Sequence, residues 1–140
     1  MVPALPINTP DGLAGVLDNV LAVPVVALDT EADSFHHYYE KLCLIQVATA
    51  DREALVDPLA GLDLRPLVDL LQAKPLVLHG CDYDLRLLNR HFGFTPGELF
   101  DTMLAAQLLG QKELGLAALI HRYFGVAMDK RVQRADWSRR

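Results

Sequence analysis

The chain has 140 residues, enough for one domain with a single core, and its 51% hydrophobic and 22% charged residues are the balance of a globular protein rather than a disordered one. It holds no unbroken apolar run of about 18 residues and no basic N-terminal segment leading into a hydrophobic one, which argues against a spanning helix and a secretory leader and predicts a soluble, cytoplasmic protein. A formal net charge of −5 speaks against nucleic acid as a partner, but residues 121–140 hold six Lys or Arg against two Asp, leaving −9 on the first 120 residues. A basic end beside an acidic body suits a phosphate-binding edge next to a carboxylate metal site, and a solvated terminus accounts for the charge equally well.

In chain order, Thr9 and Pro10 read as the cap and first turn of a helix whose apolar stripe is Leu13, Val16, Leu17, Val20 and Leu21. Pro24 ends it, and an apolar strand follows over 25–31. Residues 33–41 are polar and aromatic and read as a loop, followed by strands over 42–48 and 53–57 with a turn at Asp51-Arg52. Three strands with short links predict an antiparallel meander. The period then changes: Leu64, Leu67, Val68, Leu70 and Leu71 form a helical stripe after Asp63, and a short strand runs over 76–79. Gly80 marks a turn into a helix that Gly93 stops. Leu99-Phe100 is a brief fifth strand, Asp101 caps a helix to Leu109, and a last helix carries Leu114 through Phe124 before Gly125. The expected class is α/β with a mixed sheet flanked by helices. Cys43 and Cys81 have no CxxC spacing and are expected to be buried free thiols.

The chemistry concentrates at Asp29-Thr30-Glu31, where the first strand ends. Residues at i and i+2 of a strand share a face, so Asp29 and Glu31 lie side by side with Thr30 turned away. Two such charges raise each other's pKa, and a divalent cation relieves the repulsion. Asp84 falls in the first turn of the helix after the fourth strand, near the same sheet edge. Asp82 suits the helix cap and Asp84 the inward reach, although either could serve as a cap alone. Three hard oxygen donors suit magnesium or manganese, and two such ions about 4 Å apart can activate water and steady the leaving oxygen of a phosphodiester. His36, His37, Phe35, Tyr38 and Tyr39 could touch or stack on a substrate, but idle loop histidines and aromatic packing explain them as readily. No nucleophile elbow, Walker A loop or Gly-x-Gly-x-x-Gly loop is present.

Several ordered segments resemble the DEDD superfamily of 3′–5′ exonucleases, in particular its ribonuclease D branch. Leu28-Asp29-Thr30-Glu31 resembles the first exonuclease motif, Tyr39-x-x-Leu42-Cys43-Leu44-Ile45-Gln46 the strand after it, and Leu55-Val56-Asp57-Pro58-Leu59 the next strand exit. His79-Gly80-Cys81-Asp82-Tyr83-Asp84 resembles the second motif, whose last aspartate is the ligand. Phe100-Asp101-Thr102-Met103, Ala105-Ala106-x-Leu108-Leu109-Gly110, Asp129-Lys130 and Asp136-Trp137 continue the likeness. The resemblance runs from about residue 23 to the end and implies a ribonuclease H-like fold, two Mg2+ or Mn2+ ions, and removal of nucleotides from the 3′ end of single-stranded RNA. It implies Asp29, Glu31 and Asp84 as metal ligands and catalytic residues, with Thr30, Glu31, Tyr39 and His79 at the substrate. Lys130, Arg131 and Arg134 form the candidate nucleic-acid edge.

One departure stands out. The family completes its site with Tyr-x-x-x-Asp or His-x-x-x-x-Asp after the Asp-Trp segment, and Arg140 is reached before any such motif. No tyrosine has an aspartate four residues on, and the His79–Asp84 spacing falls inside the second motif. The expectation is therefore one exonuclease domain over 1–140, incomplete at its C-terminal side and impaired in catalysis, as a fragment or a natural truncation. Absence of the last helix is also expected to expose apolar surface and promote self-association. The alternatives are an inactive nucleic-acid-binding remnant of the same fold, and a proofreading-type DNA exonuclease.

Overall fold

Thr9 accepts a hydrogen bond from the Gly12 N–H at 3.2 Å and opens helix α1, Pro10–Leu21, whose Leu13, Val16 and Val20 are buried at helical spacing. The computed structural model of the chain describes residues 5–33 and 40–128. The chain continues through strands β1 (Val26–Ala32), β2 (Leu42–Ala48) and β3 (Glu53–Val56), helix α2 (Arg65–Ala73), strand β4 (Pro75–Leu78), helix α3 (Asp82–Phe92), strand β5 (Glu98–Asp101) and helices α4 (Thr102–Leu108) and α5 (Leu116–Phe124). This is the expected order of a helix, three strands, then alternating helix and strand.

The strands form one mixed sheet in the order β3-β2-β1-β4-β5. The meander β1-β2-β3 is antiparallel, as expected, while β4 and β5 add in parallel, each reached through a helix. Along β1 burial alternates: Val26, Leu28 and Thr30 face the core, and Ala27 and Asp29 face the other way. The core layer joins these to Leu13, Val16 and Val20 of α1, Leu67, Val68 and Leu71 of α2, and Leu87 and Leu88 of α3. The Lys74 ammonium donates to the Leu21 and Val23 carbonyls at 3.1 and 2.6 Å, closing the end of α1 against the α2–β4 turn. Before α1, Ile7 bonds to Leu55 and Asp57 backbone and covers the edge of β3, a contact with no sequence signal.

Two local expectations need correction. The first strand begins at Val26, leaving Val25 45% exposed outside the ladder. Asp82 is no cap: α3 opens after Cys81 without a side-chain cap, and Asp82 instead pairs with Arg86 one turn on at 2.7 Å. Asp63 accepts from Arg65 N–H at 3.0 Å, but Leu64 occupies the cap position of α2. Cys43 and Cys81 are both buried, as expected. Among the described residues no helix is long and apolar enough to cross a membrane.

Candidate active site

Strand β1 presents Asp29 and Glu31 on the sheet face opposite the core, and the antiparallel register sets Gln46 of β2 directly across from Asp29. The Gln46 amide donates to both acids, with Nε2 at 3.2 Å from Asp29 Oδ2 and 3.4 Å from Glu31 Oε1. Thr30 points the other way and is buried.

Asp84 comes to the same place from another part of the chain. Pairing of β1 with β4 stops at Ala27 and Val77, so the Thr30 N–H lies beyond the end of that ladder. Asp84, in the first turn of α3 and 6% exposed, fills the gap: Thr30 donates to its Oδ1 through the backbone N–H at 3.0 Å and through the hydroxyl at 2.6 Å. Both bonds fall on Oδ1, so Oδ2 is not held by β1. The turn that aims α3 is itself anchored by Asp101, whose carboxylate accepts from the N–H groups of Gly80 (3.0 Å), Cys81 (2.9 Å), Met103 (2.8 Å) and Leu104 (3.2 Å). Asp101 is thus the expected cap of α4 and also the clasp on the β4–α3 turn. Gly80 takes φ of 68° there, the left-handed conformation that favours glycine.

The electrostatics follow from this crowding. Loss of water and the Asp84 charge push Asp29 up to about 6. Desolvation, then Asp29 and Asp84, push Glu31 up to about 7. Burial raises Asp84 as well, against the lowering effect of the Thr30 hydrogen bonds. Burial alone would raise Asp101, but the N–H groups of Cys81 and Gly80 hold it well below the usual carboxylate range. Among the described residues the ion pairs are Arg86–Asp82 and Arg90–Glu40, so none of the three acids has a cationic partner there. No set of three His, Cys, Asp or Glu side chains among those residues stands in ready-made ligand geometry. The donor chemistry still fits a hard divalent cation: three carboxylates in mutual repulsion, bonded only to neutral donors.

Beside the acids an open groove of about 560 Å3 runs over the uncovered sheet face, lined by Ala27, Gln46, Leu55, Val77 and His79 among others. His79 lies 2.8 Å through Nδ1 from Thr102 Oγ1, and that hydroxyl donates to the Leu78 carbonyl at 3.1 Å. Nδ1 of His79 is thus engaged by Thr102, and Nε2 is the ring nitrogen left outside that contact. Tyr39, Lys130, Arg131 and Arg134 lie outside the described residues, as do Phe35, His36, His37 and Tyr38.

A family model described as 3′–5′ exonuclease matches residues 5–140. This chain belongs to the 3′–5′ exonuclease family. Among relatives of that family, ribonuclease D of Zymomonas mobilis is 39% identical over 133 residues, 91% of this chain and 34% of that protein. The crystal structure of Escherichia coli RNase D, described as an exoribonuclease involved in structured RNA processing, superposes with a TM-score of 0.87 at 36% identity, covering 97% of this chain and 37% of that one. The catalytic core of RRP6 from Trypanosoma brucei gives 0.82 at 29% identity, over 98% and 39%. The chain thus spans about a third of the length of the curated relatives it matches, 34% for the Zymomonas protein.

Two further groups, Gln46 and Thr102, take part in this exonuclease site. Gln46 carried no acidic or metal-ligand signal; only its register opposite Asp29 exposes it. Thr102 was legible as the residue after a cap, and its grip on His79 needs β5 and β4 side by side.

Proposed function

We propose that this chain is the exonuclease portion of a metal-dependent 3′–5′ exoribonuclease, with Asp29, Glu31 and Asp84 as the ligand set and single-stranded 3′ ends of RNA as substrate. The observation that carries the reading is the convergence of acids from two distant motifs at one end of β1, beside a groove and with no ion-pair partner among the described residues. When bound there, two Mg2+ or Mn2+ ions would supply Lewis-acid activation of the attacking water and charge stabilisation at the leaving oxygen. Asp29 and Glu31 would hold them from the sheet face, and Asp84 from the flank through the oxygen that β1 leaves unbonded. Thr30 acts through Asp84, since its hydroxyl and N–H are both given to that carboxylate. His79 lines the groove with Nδ1 engaged by Thr102, and its Nε2 can meet a nucleotide group there. Ala27, Leu55 and Val77 give the groove an apolar floor suited to a base or sugar.

Asp29, Glu31 and Asp84 are the acids assigned to the site here, and a version of the chain extended through a Tyr-x-x-x-Asp or His-x-x-x-x-Asp segment serves as the comparison in the assay. The test is 3′-end shortening of 5′-labelled single-stranded RNA and DNA with Mn2+, using wild type, Asp29→Asn and the extended chain. Metal-dependent loss of 3′ nucleotides from RNA, abolished by Asp29→Asn, is expected. Cleavage that survives Asp29→Asn contradicts the ligand assignment. Metal-dependent RNA binding without cleavage even in the extended chain identifies a binder instead, and preference for DNA contradicts the RNA assignment.

A further inference from the structure

Gln46 sits in β2 between β1 and β3, with Asp29 across from it on one side and Leu55 on the other. Leu55 offers the amide no hydrogen-bond partner in its side chain, so the donors turn toward β1, where Nε2 lies 3.2 Å from Asp29 Oδ2 and 3.4 Å from Glu31 Oε1. A primary amide carries two N–H donors and no charge. One group therefore reaches two carboxylates that share a strand face.

We infer that Gln46 is a positioning residue that sets the spacing and orientation of Asp29 and Glu31 for a shared divalent cation. This rests on the proposed reading of Asp29, Glu31 and Asp84 as ligands. The residue type matters. Lysine or arginine at 46 would pair with the same acids and oppose a cation electrostatically. Leucine or methionine would leave two repelling carboxylates free to rotate apart. The amide fixes one oxygen of each acid and adds no charge, so the full negative field remains available to a metal. Its support is rigid: β2 is hydrogen-bonded on both sides, and Leu44 and Ile45 before it and Val47 after it are buried. Hydrogen-bond partners of metal ligands characteristically tune metal affinity by one to two powers of ten.

The test is Mn2+ binding to the full chain, read by loss of the free-ion paramagnetic resonance signal, for wild type, Gln46→Met and Asp29→Asn. Methionine keeps the length of the side chain and removes both donors. Each titration is made well below the variant's melting transition, so general loosening of the fold does not register as weaker binding. Gln46→Met is expected to bind Mn2+ about tenfold more weakly than wild type, with Asp29→Asn weaker still. Equal affinity of wild type and Gln46→Met, with binding lost in Asp29→Asn, overturns the role of Gln46 and leaves the ligand assignment standing. Equal affinity of wild type and Asp29→Asn overturns the ligand assignment, and this inference with it.

Discussion

Asp29, held up at about 6, and Glu31, at about 7, take up protons in the folded chain at pH values where the unfolded chain has already lost them. For acids raised in this way the stabilising contribution is fully present below the unfolded values, near 4, and is lost as pH rises through 6 to 7. The metal-free chain is therefore expected to melt at lower temperature at pH 8 than at pH 5, with a smaller drop in Asp29→Asn/Glu31→Gln. Mn2+ should raise the melting temperature at pH 8 and have little effect at pH 5, because it competes with the same protons. A pH dependence unchanged in the double variant contradicts this account. Thr30→Val makes a second residue-scale test: it keeps the shape and removes one of two bonds to buried Asp84, so urea unfolding should register a loss of about 1 kcal/mol.

At the scale of elements, the site depends on how the β4–α3 turn is held. Asp101→Asn is expected to cost roughly 1–3 kcal/mol in denaturant unfolding, since one amide cannot accept from all the N–H groups the carboxylate gathers. A group held below its usual range stabilises the fold above its unfolded pKa and loses that contribution as pH falls, so wild type should lose more stability below about pH 4 than Asp101→Asn does. Much of this architecture was legible in the sequence. Thr9-Pro10, the 42–48 run and the Gly93 and Gly125 stops encode α1, β2 and the ends of α3 and α5 through local chemistry. Asp29 and Glu31 were legible because strand period alone puts them on one face. What was not legible is what only tertiary pairing creates: the opening beyond β4 that Asp84 fills, the reach of Gln46 across the register, and Asp101 serving two turns at once. Asp82 misled because an acid in the first turn suits both a cap and an exposed ion pair, and only the helix start distinguishes them.

Across the described residues, the core lies on one side of the sheet while the other side carries the groove, and the exposed apolar residues include Leu108 at the end of α4, at 88%, and Phe124 at the end of α5, at 76%. Such a surface favours association, and sedimentation velocity of the 140-residue chain is expected to show mass increasing with concentration. A constant monomer mass, unchanged by Leu108→Ser/Phe124→Ser, contradicts that expectation. The acids emerge at the boundary between the two sides, where β1 outruns β4, and this placement gives them both a protein-backed flank and an open approach. The measurement that tests this account most directly is anomalous diffraction from crystals of the chain soaked in Mn2+. A peak bonded to oxygens of Asp29, Glu31 and Asp84, absent in Asp29→Asn, is the expected result; Mn2+ bound elsewhere, with these carboxylates left uncoordinated, would contradict the ligand assignment.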